Sequence, residues 1–175
     1  MITGPRVTLR PLRAEDEGAL YAIAADFDTW EERNDAVPNA LTRELFGERF
    51  AKRLTADGDE LSLGIEANGH LVGRVDLFGI DPFVRQAEVG IALAADARGK
   101  GYGSEALRLL VEFAFVRRNM RRIVLMTLAT NSAALRSYAK VGFVEEGRRR
   151  EAAWVRGEYV DMVDMGLLRS EFRAT

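Results

Sequence analysis

Cysteine is absent from the 175 residues, which excludes disulfides, thiolate metal sites and a cysteine nucleophile. Histidine occurs once, as His70 directly after Asn68-Gly69. That pair marks a tight hairpin turn, so the imidazole is expected at an exposed strand start and away from any reacting centre. Proline is scarce, with four in the chain, and no proline-rich or low-complexity stretch divides it, so one domain over residues 1–175 is expected. No apolar run approaches the roughly 18 to 20 residues of a membrane span. The opening MITGPRVTLRPL also lacks the layout of a signal peptide. A cytoplasmic protein without a membrane partner is the resulting expectation. An excess of one charge sign is missing too, since 25 Lys and Arg face 27 Asp and Glu, which gives no bulk electrostatic footprint for nucleic acid. No group of His, Cys or carboxylates has ligand spacing, so no metal is expected.

What is present suits a soluble globular chain: 47% of residues are hydrophobic and 30% charged. A domain of this length buries roughly 70% of the surface its unfolded chain would expose. Period-two patterning predicts a strand over residues 7–12, and period-3.6 patterning predicts helices over about 16–25 and from Thr42, with Leu45, Phe46, Phe50 and Leu54 as its apolar face. Residues 26–41 read as irregular. Alternating runs over 61–67 and 71–78, joined by Asn68-Gly69, predict a hairpin. A strand over 87–93 leads into Arg98-Gly99-Lys100-Gly101-Tyr102-Gly103 and a helix from Ser104 to about Arg117. Residues 122–129 are apolar on both faces and read as a central strand. A helix over 131–141 ends at Gly142, where a left-handed cap is expected, and residues 154–168 read as a last hairpin. The fold class is therefore α/β, with a mixed, mostly antiparallel sheet flanked by helices.

Two constellations carry chemistry. Glycines in a strand-to-helix turn let backbone N–H groups approach a phosphate closely, and the helix that follows adds partial positive charge at its N-terminus. The stretch from Arg98 to Ser104 has both features, with Arg98 and Lys100 as further charge, and suits a pyrophosphate. It lacks the lysine and hydroxyl residue of a Walker A loop and the full dinucleotide fingerprint, which disfavours a nucleotide-phosphate binder. On its own a strand-to-helix turn that merely uses glycine explains it equally well. Further on, Asn131 and Tyr138 lie seven residues apart, hence on one side of a helix and roughly 10 Å apart along it. Together they can line one extended ligand.

Arg98-x-x-Gly101-x-Gly103 followed by Asn131-x-x-Ala134 and Tyr138-x-x-x-Gly142-Phe143 resembles the GCN5-related N-acetyltransferase superfamily. Leu9-Arg10-Pro11-Leu12 and the closing stretch 142–168 resemble its ribosomal-protein and spermidine N-acetyltransferase branch. The resemblance covers nearly the whole chain. It implies central strands that splay to form an acyl-CoA cleft, and acetyl-CoA as donor. The pyrophosphate would sit on the backbone of Arg98, Gly99, Lys100, Gly101, Tyr102, Gly103 and Ser104, and the pantetheine arm would pair with Ile91, Ala92 and Leu93. It further implies Asn131 near the thioester, Tyr138 as the acid that protonates the departing thiolate, and Glu88 as the base, with a water chain as the rival for that role. Asn131 can equally be a helix N-cap and Tyr138 an interior ring with a satisfied hydroxyl.

The implied reaction is direct attack of a neutral primary amine on the thioester in a ternary complex. An amine with an unperturbed pKa near 10.4 must first lose a proton. A binding protein that keeps the cofactor loop without turnover is the rival class. Trp30, Glu31 and Glu32, within an acidic stretch that also holds Asp26, Asp28 and Asp35, are expected to select a cationic amine. The acceptor, whether a protein N-terminal α-amine, a polyamine or another small amine, stays open, as does a homodimer. The arginine clusters at 117–122 and 148–150 lack interleaved aromatics and read as solvated surface with no nucleic-acid partner.

Overall fold

The computed structural model describes residues 1–31, 40–55 and 60–173, apart from the Trp30 side chain. Its strands are β1 (Ile2–Thr3), β2 (Thr8–Pro11), β3 (Leu61–Ala67), β4 (His70–Asp81), β5 (Gln86–Leu93), β6 (Arg122–Leu128), β7 (Val144–Val155) and β8 (Glu158–Leu168). The helices are α1 (Glu17–Ala25), α2 (Phe27–Glu31), α3 (Arg43–Thr55), α4 (Tyr102–Val116) and α5 (Ser132–Val141). One sheet runs β1-β2-β3-β4-β5-β6-β8-β7. Every neighbouring pair is antiparallel except β5 and β6, which are joined through α4 as a parallel crossover requires.

Local chemistry explains most boundaries. Asn68 and Gly69 both adopt left-handed backbone, φ 52° and 77°, as a two-residue turn matched to strand twist demands. Ala67 therefore pairs with His70, which is exposed at the start of β4. The Thr42 hydroxyl accepts the Leu45 N–H at 3.2 Å and caps α3. Gly142 ends α5 at φ 113°.

Four sequence expectations are corrected. Residues 27–31 form α2 rather than irregular chain, because the Asp26 carboxylate accepts the Thr29 N–H at 2.9 Å and caps the turn. The helix α4 starts at Tyr102, two residues before the expected Ser104, since Gly101 at φ 82° already turns the chain into it. The final hairpin is longer than expected, with β7 running from Val144 along the sheet edge. On α3, Phe46 and Phe50 are buried whereas Leu45 and Leu54 are 38% and 39% exposed. The apolar stripe is therefore narrower than the sequence pattern implied.

The core lies mainly between α4 and the sheet, where Leu107, Leu110, Val111, Ala114 and Phe115 meet Leu9, Ile65, Val75, Leu77, Val89 and Ile123. On the other face Leu20 and Ile23 of α1 and Phe46 and Phe50 of α3 pack with Ala92. Alternation along β5 sends Val89 to one cluster and Ala92 to the other.

At the end of β2, Arg10 is 5% and Asp16 4% exposed. Arg10 donates from both terminal nitrogens to Asp16 at 2.8 and 2.9 Å, from Nε to Glu66 at 2.7 Å and from Nη1 to the Pro11 carbonyl at 3.1 Å. Burial pushes the Asp16 carboxyl upward, but the hydrogen bonds from Arg10 and the Arg13 amide outweigh it and hold the group below its ordinary range. Removing one partner would leave an uncompensated buried charge. Asp16→Ala should therefore cost about 3 to 5 kcal/mol in chemical denaturation. Because the folded pKa of Asp16 is depressed, its contribution is full above about pH 4 and is lost as pH falls through the folded value. Stability curves of the variant and the parent should converge over that acidic window.

Candidate active site

β5 and β6 pair through Gln86↔Arg122, Ala87↔Ile123 and Glu88↔Val124, and the pairing stops there. Beyond that point β5 keeps β4 as its partner to Leu93, and β6 keeps β8 to Leu128. The two strands thus part in the middle of the sheet. The Ala94 N–H bonds to the Val72 carbonyl at 3.0 Å, which sets the antiparallel phase: Ala92, Gly90 and Glu88 face β4 with their polar backbone, while Leu93, Ile91 and Val89 turn theirs toward the gap. The Leu93 carbonyl indeed receives the Arg98 guanidinium there at 3.4 Å.

On one side of the gap lies a cavity of about 770 Å³ lined by Ile91, Leu93, Arg98, Gly99, Gly101, Gly103 and Ser104 and by α5 and its cap, from Asn131 to Ala134 and from Arg136 to Tyr138. Each glycine has its own reason. Gly99 and Gly101 hold φ 73° and 82°, and a Cβ on Gly101 would strike the Arg6 guanidinium. Gly103 lies in the first turn of α4, where a Cβ would come 3.2 Å from Leu93 Cδ1 and 3.6 Å from Ile91 Cδ1. This absence of side chains lets the helix start sit against β5, so that the first-turn N–H groups of a 15-residue helix face the cavity. Ser104 and Ser137 share a hydrogen bond of 2.7 Å that ties α4 to α5. Arg98 also donates to the Thr29 hydroxyl at 2.7 Å. It braces α2 against the loop as well as lining the cavity.

Asn131 Oδ1 accepts the Ala134 N–H at 3.0 Å, so the capping function is present. Tyr138 packs edge-on against Phe143 with ring centroids 6.3 Å apart. Both residues also line a second cavity of about 370 Å³ on the other side of the gap. Ile91, Asn131 and Tyr138 are the residues common to the two. Glu88 lines only the smaller one, and the glycine loop only the larger. The structure therefore brings together Ile91, Asn131 and Tyr138 at a junction, with Glu88 at one end and residues 98–104 at the other.

Burial pushes the Glu88 carboxyl above its ordinary value; Arg149 pulls it down and Asp164 adds to the rise. An elevated carboxylate in a cleft is a proton acceptor poised closer to neutral pH. Other walls of the smaller cavity that no motif in the sequence marks include Arg53, Glu60, Ser62, Arg74, Asp76, Met126, Thr127 and Met162. They come from α3, β3, β4, β6 and β8 and the chain before β3, one or two residues from each. Asp76 accepts from Arg74 at 2.7 Å and from the Ser62 hydroxyl at 2.6 Å.

Of the acidic stretch, the described carboxylates Asp28 and Glu31 lie on the glycine-loop side. Glu31 lines the larger cavity, on the glycine-loop side, and accepts from Arg156 at 2.8 Å. Asp28 accepts from the same guanidinium. This carboxylate pair is thus committed to the β7–β8 turn and lies apart from Glu88. The Trp30 side chain and Glu32 lie outside the described residues. Among the described residues no group of three or more His, Asp or Glu could hold a metal ion, and no helix is long and apolar enough to cross a membrane.

A cleft through a parted sheet, with an anion-receiving helix start at one end and a carboxylate at the other, is the layout of a group-transfer enzyme that seats two substrates at once. The sequence model described as acetyltransferase (GNAT) domain matches residues 6–144, and the chain belongs to that family. Membership makes it an N-acetyltransferase with acetyl-CoA as acyl donor. Among curated relatives, a candidate ribosomal N-acetyltransferase of Bacillus subtilis, YdaF, is 31% identical over 121 residues, 69% of this chain and 66% of that protein. The spermidine N(1)-acetyltransferase of Vibrio cholerae is 29% identical over 125 residues, 71% of this chain and 72% of that one. The crystal structure of the Vibrio cholerae spermidine N-acetyltransferase in complex with CoA and spermine superposes with a TM-score of 0.87 at 26% identity, covering 96% of this chain and 98% of that one.

The placement of Glu88 makes a direct prediction. A carbon-13 NMR titration of its carboxyl should give a midpoint above the ordinary value of about 4.3. Arg149→Gln should raise that midpoint further and Asp164→Asn should lower it. An unshifted midpoint in all three proteins would show Glu88 to be solvated.

Proposed function

We propose that the chain acetylates a primary amine that enters through the smaller cavity, while acetyl-CoA occupies the larger one with its thioester at Ile91, Asn131 and Tyr138. The observation that carries this reading is the junction itself: two separate cavities share only the side chains that a thioester and an attacking nitrogen would both have to touch. The donor fits these residues. Left-handed Gly99 and Gly101 and the start of α4 present backbone N–H groups to a pyrophosphate, with Arg98 and Lys100 beside them. The backbone of Ile91 and Leu93 can pair with an amide-bearing pantetheine arm as an added strand would.

Glu88 accepts a proton from the incoming ammonium, directly or through a water, and leaves the nitrogen lone pair available. The amine nitrogen then bonds to the thioester carbonyl carbon, and the Ile91 N–H, turned into the gap, meets the negative charge that develops on oxygen. The carbon–sulfur bond breaks, and the Tyr138 hydroxyl supplies the proton that the departing thiolate takes up. Tyr138 is regenerated by solvent through the cleft.

The relatives bring two kinds of acceptor into consideration, the spermidine of the Vibrio cholerae enzyme and a ribosomal amine after the name of YdaF. A primary amine is common to both.

Tyr138→Phe keeps the packing against Phe143 and removes only the hydroxyl, so CoA affinity should survive while turnover falls by about 10² to 10⁴, roughly 3 to 5 kcal/mol of barrier. A fully active Tyr138→Phe would remove the acid from this scheme. With its carboxyl elevated, Glu88 stops accepting protons as pH falls through that value. The parent should therefore show an acidic limb in kcat/KM above the range of an ordinary glutamate. Glu88→Gln should abolish that limb, depress the rate at neutral pH and recover part of it at alkaline pH, where more amine is already neutral. Full activity with an unchanged pH profile would assign the base to a water chain instead.

A further inference from the structure

The inward stripe of α3 begins as a core helix should, with Phe46 and Phe50 buried. One turn on, at the position where a third apolar residue belongs, the chain carries Arg53, and Leu54 beside it is turned out to solvent. Arg53 is half-buried and lines the smaller cavity. Among the described residues it makes no hydrogen bond or ion pair, in contrast to its neighbour Arg74, which donates to Asp76 at 2.7 Å. Asp76 in turn is taken up by Arg74 and Ser62.

A cation in the last turn of a helix also complements the helix dipole. Lys52, in the same turn and exposed, already does that without leaving water. Arg53 instead accepts a desolvated position: burial first, and then the like charge of Arg74, pushes its guanidinium down from its ordinary value, with Asp76 and Glu60 pulling the other way. A guanidinium held in a cleft beside a second one, with its fork uncommitted, is matched to a bidentate anion.

We propose that the acceptor amine carries a carboxylate at the far end from the reacting nitrogen, and that Arg53, assisted by Arg74, receives it in the smaller cavity. This rests on the smaller cavity being the acceptor side. The assignment inverts the expectation drawn from the acidic stretch: Asp28 and Glu31 are already paired with Arg156, and Glu31 lines the other cavity, whereas Arg53, without a hydrogen bond or ion pair among the described residues, stands where the acceptor enters. Glu88 at the inner end and Arg53 on the wall give the cavity opposite charges for the two ends of an amino carboxylate. A polycation finds the amine site but meets Arg53 with its second charge.

The experiment compares ω-amino carboxylates of increasing chain length with their primary amides, and a peptide with a free amino terminus and an acidic second residue with its amide counterpart. Spermidine is the cationic control. Acetylation is read as kcat/KM, and binding to the CoA-loaded protein is read by calorimetry. We expect at least one carboxylate to exceed its amide by about ten- to a hundredfold in both readings, the span of a charge-assisted hydrogen bond. Arg53→Gln should bring that ratio to about one, chiefly through KM, and Arg53→Lys should keep part of it. Preference within the ω-amino series identifies a small amino acid as the source, and preference confined to the peptide identifies a protein terminus. A parent ratio near one, a ratio unchanged in Arg53→Gln, or spermidine outrunning every carboxylate overturns the proposal while leaving the acetyltransferase scheme intact. Failure of CoA itself to bind would sink the underlying reading and this one with it.

Discussion

The parting of β5 from β6 after Glu88↔Val124 is the constraint on which the rest of the molecule depends. A sheet interior normally satisfies every backbone N–H and C=O by pairing, and a gap in its middle would be costly if those groups were sealed from water. Here each strand keeps its outer partner, β4 or β8, and the inner edges open onto two cavities. The backbone of Ile91 and Leu93 is thereby available for a ligand, and the one parallel pair among the described strands supplies the place where a helix start can be aimed at that ligand. Gly103 keeps the aim close, since even a Cβ there would come 3.2 Å from Leu93 Cδ1 and crowd it.

Keeping two strands apart requires that both halves of the sheet be held independently. The half containing β1 to β5 is covered by α4 on one face and by α1 and α3 on the other. The junction of β2 with α1 is fastened by Arg10, whose fork is shared between Asp16 and Glu66. That knot explains a feature of the opening strand that period-two patterning does not: Arg10 sits beside fully buried Leu9 in the sequence Leu9-Arg10-Pro11-Leu12, yet is itself buried. Alternation would place it in water. A pair of carboxylates, one of them six residues on and the other across the β2–β3 ladder, reverses that outcome.

What could be read beforehand follows from where each signal lives. The Asn68-Gly69 hairpin, the Gly142 cap and the Asn131 cap are set by backbone conformations that few residues adopt, so the residue types announce them locally. The end proposed for the cofactor is legible for the same reason, because loop, helix start and the α5 wall occupy two short continuous stretches, 98–104 and 131–138. Glu88, Ile91 and Tyr138 were reachable only through the family resemblance, and the structure brings them around one junction. The α2 turn was missed although Asp26 three residues before Thr29 is a capping signal. The surrounding polar residues gave it no periodicity to stand on.

The smaller cavity, proposed for the acceptor, was illegible for a different physical reason. Its walls come from α3, β3, β4, β5, β6, α5 with its cap, β8 and the chain before β3, brought together by sheet register, so no one spacing along the chain encodes them. A run of carboxylates such as residues 26–35 is conspicuous in sequence but says nothing about what it faces. In the fold Arg156, more than a hundred residues away, answers Asp28 and Glu31. A wall residue of that cavity that does leave a local trace is Arg53, a charge at the third position of a stripe that starts Phe46, Phe50. A lone charge on the apolar face of an amphipathic helix is a local inconsistency of the kind that proteins keep where it serves a site. Local inconsistency is thus the better guide to the acceptor than charge density, because burial makes an uncommitted arginine costly to keep, whereas a solvated acidic patch costs the fold little.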